Sequence, residues 1–111
     1  RNILLGTPAD DTLVGGPNHD GLIGRGGNDE LYGNEGNDNI VPWVSNSAET
    51  TTVTIDGGDG FDRVYLKDIE ANYNLNCNGN SCNLNSNSGG KLILSNVEML
   101  MFQTSTNRLI D

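Results

Sequence analysis

Along the first forty residues the apolar and polar positions alternate with a period of nine. Leu13, Leu22, Leu31 and Ile40 stand nine apart, each preceded by a polar or small residue and followed by Val14, Ile23, Tyr32 or Val41. Two more columns run in phase with them. Gly6, Gly15, Gly24 and Gly33 open each row, and Asp11, Asp20, Asp29 and Asp38 follow their glycines by five residues. A fifth copy, GGDGFDRVY at 57–65, restores the pattern with Asp62 and Val64. Self-similarity at a short fixed period is the mark of a solenoid. The aliphatic end of each row predicts a very short strand, with one side chain inward and its neighbours outward. The glycine- and asparagine-rich half predicts a tight turn. Nine residues make half a coil, so Leu13, Leu22, Leu31, Ile40 and Val64 are expected to stack as a narrow core. Val14, Ile23, Tyr32, Val41 and Tyr65 are expected to cover its flank.

Between Val41 and Gly57 the period breaks, and PWVSNSAETTTVTID occupies residues 42–56. The stretch is one nonapeptide plus six residues. If it fills a slot in the solenoid, Asp62 falls on the side of Asp20 and Asp38; if it loops out, Asp62 follows Asp29. The β-branched run ETTTVTI favours the first arrangement. Trp43 in this stretch is read as packed against the coil rather than as an exposed sugar platform. Residues 66–111 carry no nonapeptides and form a second region. There YNLNC, a turn at NGNS and CNLN predict a hairpin with Leu75 opposite Leu84 and Cys77 opposite Cys82. Asn72, Asn74, Asn76, Asn83, Asn85 and Asn87 are expected to project from one face of it, read as a hydrated polar surface, with a flat hydrogen-bonding array for sugar or ice as the sharper alternative. In KLILSNVEMLMF, residues Leu92, Leu94, Val97, Leu100 and Phe102 offer the open end of the solenoid an apolar surface, which repeat arrays need. Glu98 receives no chemical role, and His19 is read as a solvated turn side chain.

Charge sharpens the picture. Of the 15 acidic residues, 13 lie in residues 1–70 against four bases, so the net charge of −9 belongs wholly to the region of the repeats. Such a surface repels phosphate, which argues against nucleic acid and anionic membranes as partners. No stretch is long and apolar enough for a membrane span. Stacked coils bring Asp11 beside Asp29, and Asp20 beside Asp38, and unpaired carboxylates that close repel. An oxygen-seeking dication between them would turn repulsion into ligation, with turn carbonyls supplying further oxygens. Catalytic constellations are not visible: there is one histidine, and no glycine loop precedes a helical pattern. The domain is read as non-enzymatic.

The rows resemble the RTX nonapeptide GGxGxDxUx of hemolysin-type calcium-binding proteins. GGDGFDRVY agrees at every specified position; GGPNHDGLI, GRGGNDELY and GNEGNDNIV each lack one glycine, and GTPADDTLV lacks two. The resemblance implies a parallel β-roll over residues 1–65, capped by 66–111, with several Ca²⁺ ions between turns. Onto this chain it carries Asp11, Asp20, Asp29, Asp38 and Asp62 as ligands, with Gly15, Asn18, Gly24, Gly27, Gly33 and Gly36 as turn residues of the sites. Pro8, Pro17, Ala9 and Asn18 depart from the pattern and are expected to weaken the first turns. The resemblance further implies part of a larger protein, exported by type I secretion from a Gram-negative bacterium and folding in extracellular calcium. In that compartment Cys77 and Cys82 are expected to pair, with two free thiols as the alternative.

Overall fold

The computed structural model describes residues 3–43, 50–103 and 107–110. Residues 44–49, inside the predicted insertion, lie outside them. Ahead of the first nonapeptide lies β1 (Ile3–Leu5), and each nonapeptide then delivers one three-residue strand: β2 (Thr12–Val14), β3 (Gly21–Ile23), β4 (Glu30–Tyr32), β5 (Asn39–Val41) and β7 (Arg63–Tyr65). Between the last two, β6 (Thr52–Asp56) fills the slot that the insertion offered. Successive strands alternate between two sheets, so pairing skips one repeat. One sheet runs β1-β3-β5-β7, the other β2-β4-β6, all parallel. The register is in phase with the sequence period: Leu4 faces Leu22, Leu22 faces Ile40, and Ile40 faces Val64, while Leu13 faces Leu31 and Leu31 faces Ile55. This is a parallel β-roll.

A period of nine leaves one inward side chain per strand, and the core is correspondingly thin. Leu22, Leu31, Ile40, Ile55 and Val64 are fully buried. Leu13 is only half-buried and Val14 is 55% exposed; among the described residues the first coil has a neighbour on one side alone. Trp43 is buried, and its indole N–H donates to Thr51 Oγ1 at 3.0 Å, which fastens the start of the insertion to its return.

The roll continues beyond residue 65. Strands β10 (Lys91–Ser95) and β11 (Met99–Met101) pair in parallel with β6 and β7, so Leu94 stacks on Ile55 and Leu100 on Val64 as one more coil. The parallel edges are then covered by antiparallel strands. On one sheet β9 (Ser81–Ser86) pairs with β10, and β8 (Tyr73–Asn78) with β9; on the other, β12 (Asn107–Leu109) pairs with β11. Covering the edge removes a row of unpaired N–H and C=O groups. A single 3-10 turn at Glu70–Asn72 leads into β8, and Tyr73 packs on Phe102 with ring centroids 5.7 Å apart. Leu92, Leu94, Val97, Leu100 and Phe102 are all buried, as the sequence predicts.

The hairpin pairs Leu75 with Leu84 and Cys77 with Cys82. Its tip is tighter than the predicted four-residue loop: Asn78 pairs with Ser81, and Gly79, at φ +65°, turns the chain. Facing cysteines on neighbouring strands are joined by a disulfide. The loop that it closes is short, so in the chain-entropy account it contributes about 2 kcal/mol.

Candidate metal centre

The turns between strands are held in register by backbone bonds at both ends. Each opening glycine N–H donates to the last strand carbonyl of the coil above: Gly6 to Ile23, Gly15 to Tyr32, Gly24 to Val41, Gly33 to Asp56 and Gly57 to Ser95, at 2.7–3.0 Å. The residue after each aspartate closes the other end, as in Asn39 N–H to Asp20 O and Arg63 N–H to Asp38 O, both 2.9 Å. Between these clamps the aspartates form two ladders. Asp11 N–H donates to Asp29 Oδ1 at 2.8 Å on one side of the roll. On the other, Asp20 N–H donates to Asp38 Oδ1 at 2.7 Å and Asp38 N–H to Asp62 Oδ1 at 2.9 Å. The filled slot thus places Asp62 above Asp38. One carboxylate oxygen of Asp29, Asp38 and Asp62 is accounted for in this way.

The second oxygen separates two kinds of turn. Asp11 Oδ2 accepts the Thr7 N–H at 2.6 Å, and Asp20 Oδ2 accepts the Gly16 N–H at 2.7 Å. Both donors precede a proline, Pro8 or Pro17, which pushes the preceding residue toward extended backbone. Neither Thr7 nor Gly16 has positive φ. Arg25, Asn34 and Gly58 hold the same place in later turns, without a following proline, and take φ +80°, +66° and +78°. In those turns no N–H reaches the second carboxylate oxygen. Asp29 Oδ2, Asp38 Oδ2 and Asp62 Oδ2 are buried and have no hydrogen-bond partner. A buried polar atom left in that condition costs about 1–3 kcal/mol, and more when charged.

What these oxygens point at is a cradle. A Cβ on Gly24 would lie 2.7 Å from Asp29 Oδ2 and 3.0 Å from the Pro42 carbonyl oxygen. On Gly33 it would lie 2.5 Å from Asp38 Oδ2 and 2.7 Å from the Gly57 carbonyl oxygen. Carboxylate and carbonyl oxygens from successive coils therefore converge above each opening glycine. Gly27 and Gly36, at φ +82° and +95°, sit closely over the backbones of Ala9 and Asn18. Among the described residues no three acidic, His or Cys side chains gather at one point, so a cation here must draw on main-chain oxygens. All-oxygen donor sets of carboxylate and carbonyl suit Ca²⁺, and the residues present fit it.

Burial sets the electrostatics. It pushes Asp29 up to about 6, against the lowering effect of the Asp11 N–H, with the Asp11 and Asp10 charges adding to the rise. Asp62 is pushed up to about 8, again by burial first, with the Asp38 and Glu98 charges contributing. Asp38 moves in the same direction for the same leading reason. Without a counter-charge, burial thus favours the protonated form of all three carboxyls over the charged one.

Of the residues singled out in the sequence, Asp29, Asp38, Asp62, Gly24, Gly33, Gly27 and Gly36 meet in this arrangement. Asp11, Asp20, Gly15 and Asn18 lie in the terminal turns; the Asp11 and Asp20 carboxylates are already engaged, and Asn18 contributes backbone beneath Gly36. A parallel ladder runs one residue earlier and escaped the sequence reading. Asp10 Oδ1 accepts the Asn28 N–H, Asn28 Oδ1 accepts the Thr52 N–H, and Asn37 Oδ1 accepts the Phe61 N–H, at 2.7–2.8 Å. His19 belongs to it: exposed but not merely solvated, its Nδ1 accepts the Asn37 N–H at 2.7 Å. Only residue types with an acceptor at that reach fit, and a column of Asp, His, Asn and Asn does not announce itself by identity.

Fold and site together describe a parallel β-roll whose turn oxygens suit Ca²⁺. Residues 5–40 match the RTX calcium-binding nonapeptide repeat in four copies, and this stretch of the chain is an RTX repeat array. Among solved structures the chain is similar to the extracellular lipase LipA from Serratia marcescens, at 21% identity and a TM-score of 0.45, over 98% of this chain. The chain spans 16% of that lipase's length. No curated protein matches it.

Proposed function

We propose that this chain is a non-catalytic module whose folding is driven by Ca²⁺, within a larger protein that leaves the cell. The observation that carries the reading is the set of three buried carboxylate oxygens, on Asp29 in one ladder and on Asp38 and Asp62 in the other, that the protein itself leaves without partners. One inward aliphatic side chain per repeat is a thin core, and calcium bound only by the folded roll converts binding free energy into folding free energy. A disulfide between Cys77 and Cys82 fits an oxidising, extracellular setting. Export by type I secretion from a Gram-negative cell, unfolded until it meets millimolar calcium, is the route that the RTX resemblance supports.

The test is a calcium titration followed by circular dichroism at pH 8 and pH 5. At pH 8 the chelated protein is expected to be largely unfolded and to gain β-structure with calcium; a fully folded spectrum in chelator at pH 8 overturns the reading. The sign of the pH effect follows from the raised aspartates. Folded-state values of about 6 and about 8 lie above the ordinary 3.8, so the folded roll binds more protons than the unfolded chain between about pH 4 and pH 8. Calcium-free stability therefore falls as pH rises through that window. Chelated protein should be more structured at pH 5 than at pH 8, and calcium, competing with those protons, should bind more weakly at pH 5.

A second reading, recognition of a neutral glycan on the same scaffold, is favoured by the hairpin. Asn74, Asn76, Asn83 and Asn85 are exposed on one face in facing pairs, Asn74 with Asn85 and Asn76 with Asn83. Uncharged amides offer a donor and an acceptor at each point of a flat grid. A glycan array probed with calcium-loaded protein should then give binding that Asn76→Ala/Asn83→Ala abolishes; a blank array removes this reading.

A further inference from the structure

The carboxylate ladder does not stop at the last nonapeptide. Asp62 N–H donates to Glu98 Oε1 at 2.7 Å, the same bond that Asp38 N–H makes to Asp62 Oδ1 at 2.9 Å. Glu98 directly precedes β11 as Asp62 precedes β7, and Met99 pairs with Arg63 as Arg63 pairs with Asn39. At the other end of the turn, Asn96 follows β10 as Gly57 follows β6. It has φ +54°, and its carbonyl oxygen lies closely over Gly57, at the place where a Cβ would be 2.7 Å from Asp62 Oδ2. Nothing in the sequence period marks this coil, because its turn has three residues, Asn96–Val97–Glu98, where the nonapeptide uses six from glycine to aspartate. The shorter turn is matched by the longer side chain: the extra methylene of glutamate restores the reach. Buried Val97 anchors the turn from within. Below it, Asp62 is fully buried and its Oδ2 has no partner, although the repeat sequence has ended.

We propose that the step between Asp62 and Glu98 is a further Ca²⁺ site, built jointly by the last nonapeptide and a non-repeat coil, with Asp62, Glu98 and the Asn96 carbonyl as its oxygen donors. It rests on the reading that calcium lies between stacked turns. Its consequence is specific to this position. An ion here fastens β10 and β11, and through β10 the disulfide-bonded hairpin, to the roll, so the closing segment folds in response to calcium although it holds no repeat.

Calcium binding by equilibrium dialysis, together with hydrogen–deuterium exchange, tests this on the wild type and Glu98→Gln. Glutamine keeps an oxygen for the Asp62 N–H and removes the charge, so the ladder bond survives. Glu98→Gln is expected to bind one ion fewer at concentrations that fill the other sites, or to need about tenfold more calcium for it. Amides of Met99–Met101 should lose calcium-dependent protection while those of Gly21–Ile23 keep it. Equal stoichiometry, affinity and protection in wild type and variant overturn this inference alone. Wild type that binds no calcium overturns it together with the function on which it rests.

Discussion

Asp38→Ala should raise the calcium concentration at half-folding about tenfold or more, the largest shift expected of any single carboxylate in the chain. Asp38 sits in the middle of its ladder. Its Oδ1 accepts the Asp20 N–H, its own N–H donates to Asp62 Oδ1, and its Oδ2 is a partnerless oxygen between coils. Truncation to alanine removes a ligand and leaves the Asp20 N–H without its acceptor, a loss worth about 1–3 kcal/mol by itself. Asp38→Asn separates the two effects, because the amide oxygen still accepts that N–H while the charge is gone. If the metal term dominates, Asp38→Asn should resemble Asp38→Ala in calcium midpoint. Asp68→Ala is the control. Asp68 accepts from Ile69 N–H and Asn72 Nδ2, both at 2.8 Å, in the connection to the hairpin. Those bonds hold its carboxyl below the ordinary value, opposite to the three ladder aspartates. Its replacement should leave the calcium midpoint almost unmoved. Equal midpoints for Asp38→Ala and Asp68→Ala would refute the assignment of Asp38 to a cation site.

The ladder was readable from the sequence to the extent that its members obey the period. Glycine, aspartate and aliphatic columns nine apart are enough to place Leu22 over Ile40 and Asp20 over Asp38, because a parallel solenoid converts sequence period directly into spatial register. Even the broken period yielded. ETTTVTI has the composition of a strand, β6 occupies the slot, and Asp62 consequently stands over Asp38 rather than Asp29. Legibility failed where a different local chemistry reaches the same point in space. Glu98 does the work of an aspartate from a turn half as long, so no column contains it. His19 and Asn37 share a role as acceptors but no side-chain identity. The distinction between Asp20 and Asp38 depends on whether the residue two after the opening glycine is proline. That substitution redirects one N–H onto the carboxylate, a consequence visible only once the turn backbone is built. Val14 is 55% exposed where Ile23, Tyr32 and Val41 at the same place in their rows are half-buried, a difference that the repeating sequence does not encode.

Two glycines, Gly33 and Gly21, give the sharpest test of the cradle. Gly33→Ala should abolish calcium-driven folding at concentrations that saturate the wild type, whereas Gly21→Ala should fold as well or better. Neither glycine has positive φ, so backbone strain does not distinguish them. Space does. At Gly33 a methyl group would stand 2.5 Å from Asp38 Oδ2 and 2.7 Å from the Gly57 carbonyl oxygen. Those atoms belong to two clamped coils and cannot both yield, so the methyl either displaces Asp38 from the site or spreads the turns. Overpacking of this kind costs about 1–3 kcal/mol. The loss of oxygens for the cation adds to it. At Gly21, in β3, the nearest atom to a new methyl is Ile3 Cγ1 at 3.8 Å, an ordinary contact on a half-exposed strand. There alanine restricts the unfolded chain and gains about 0.5–1 kcal/mol. Thermal unfolding at fixed calcium should thus move in opposite directions for the two variants. If Gly33→Ala binds calcium and melts like the wild type, the oxygens above that glycine are not a cation site.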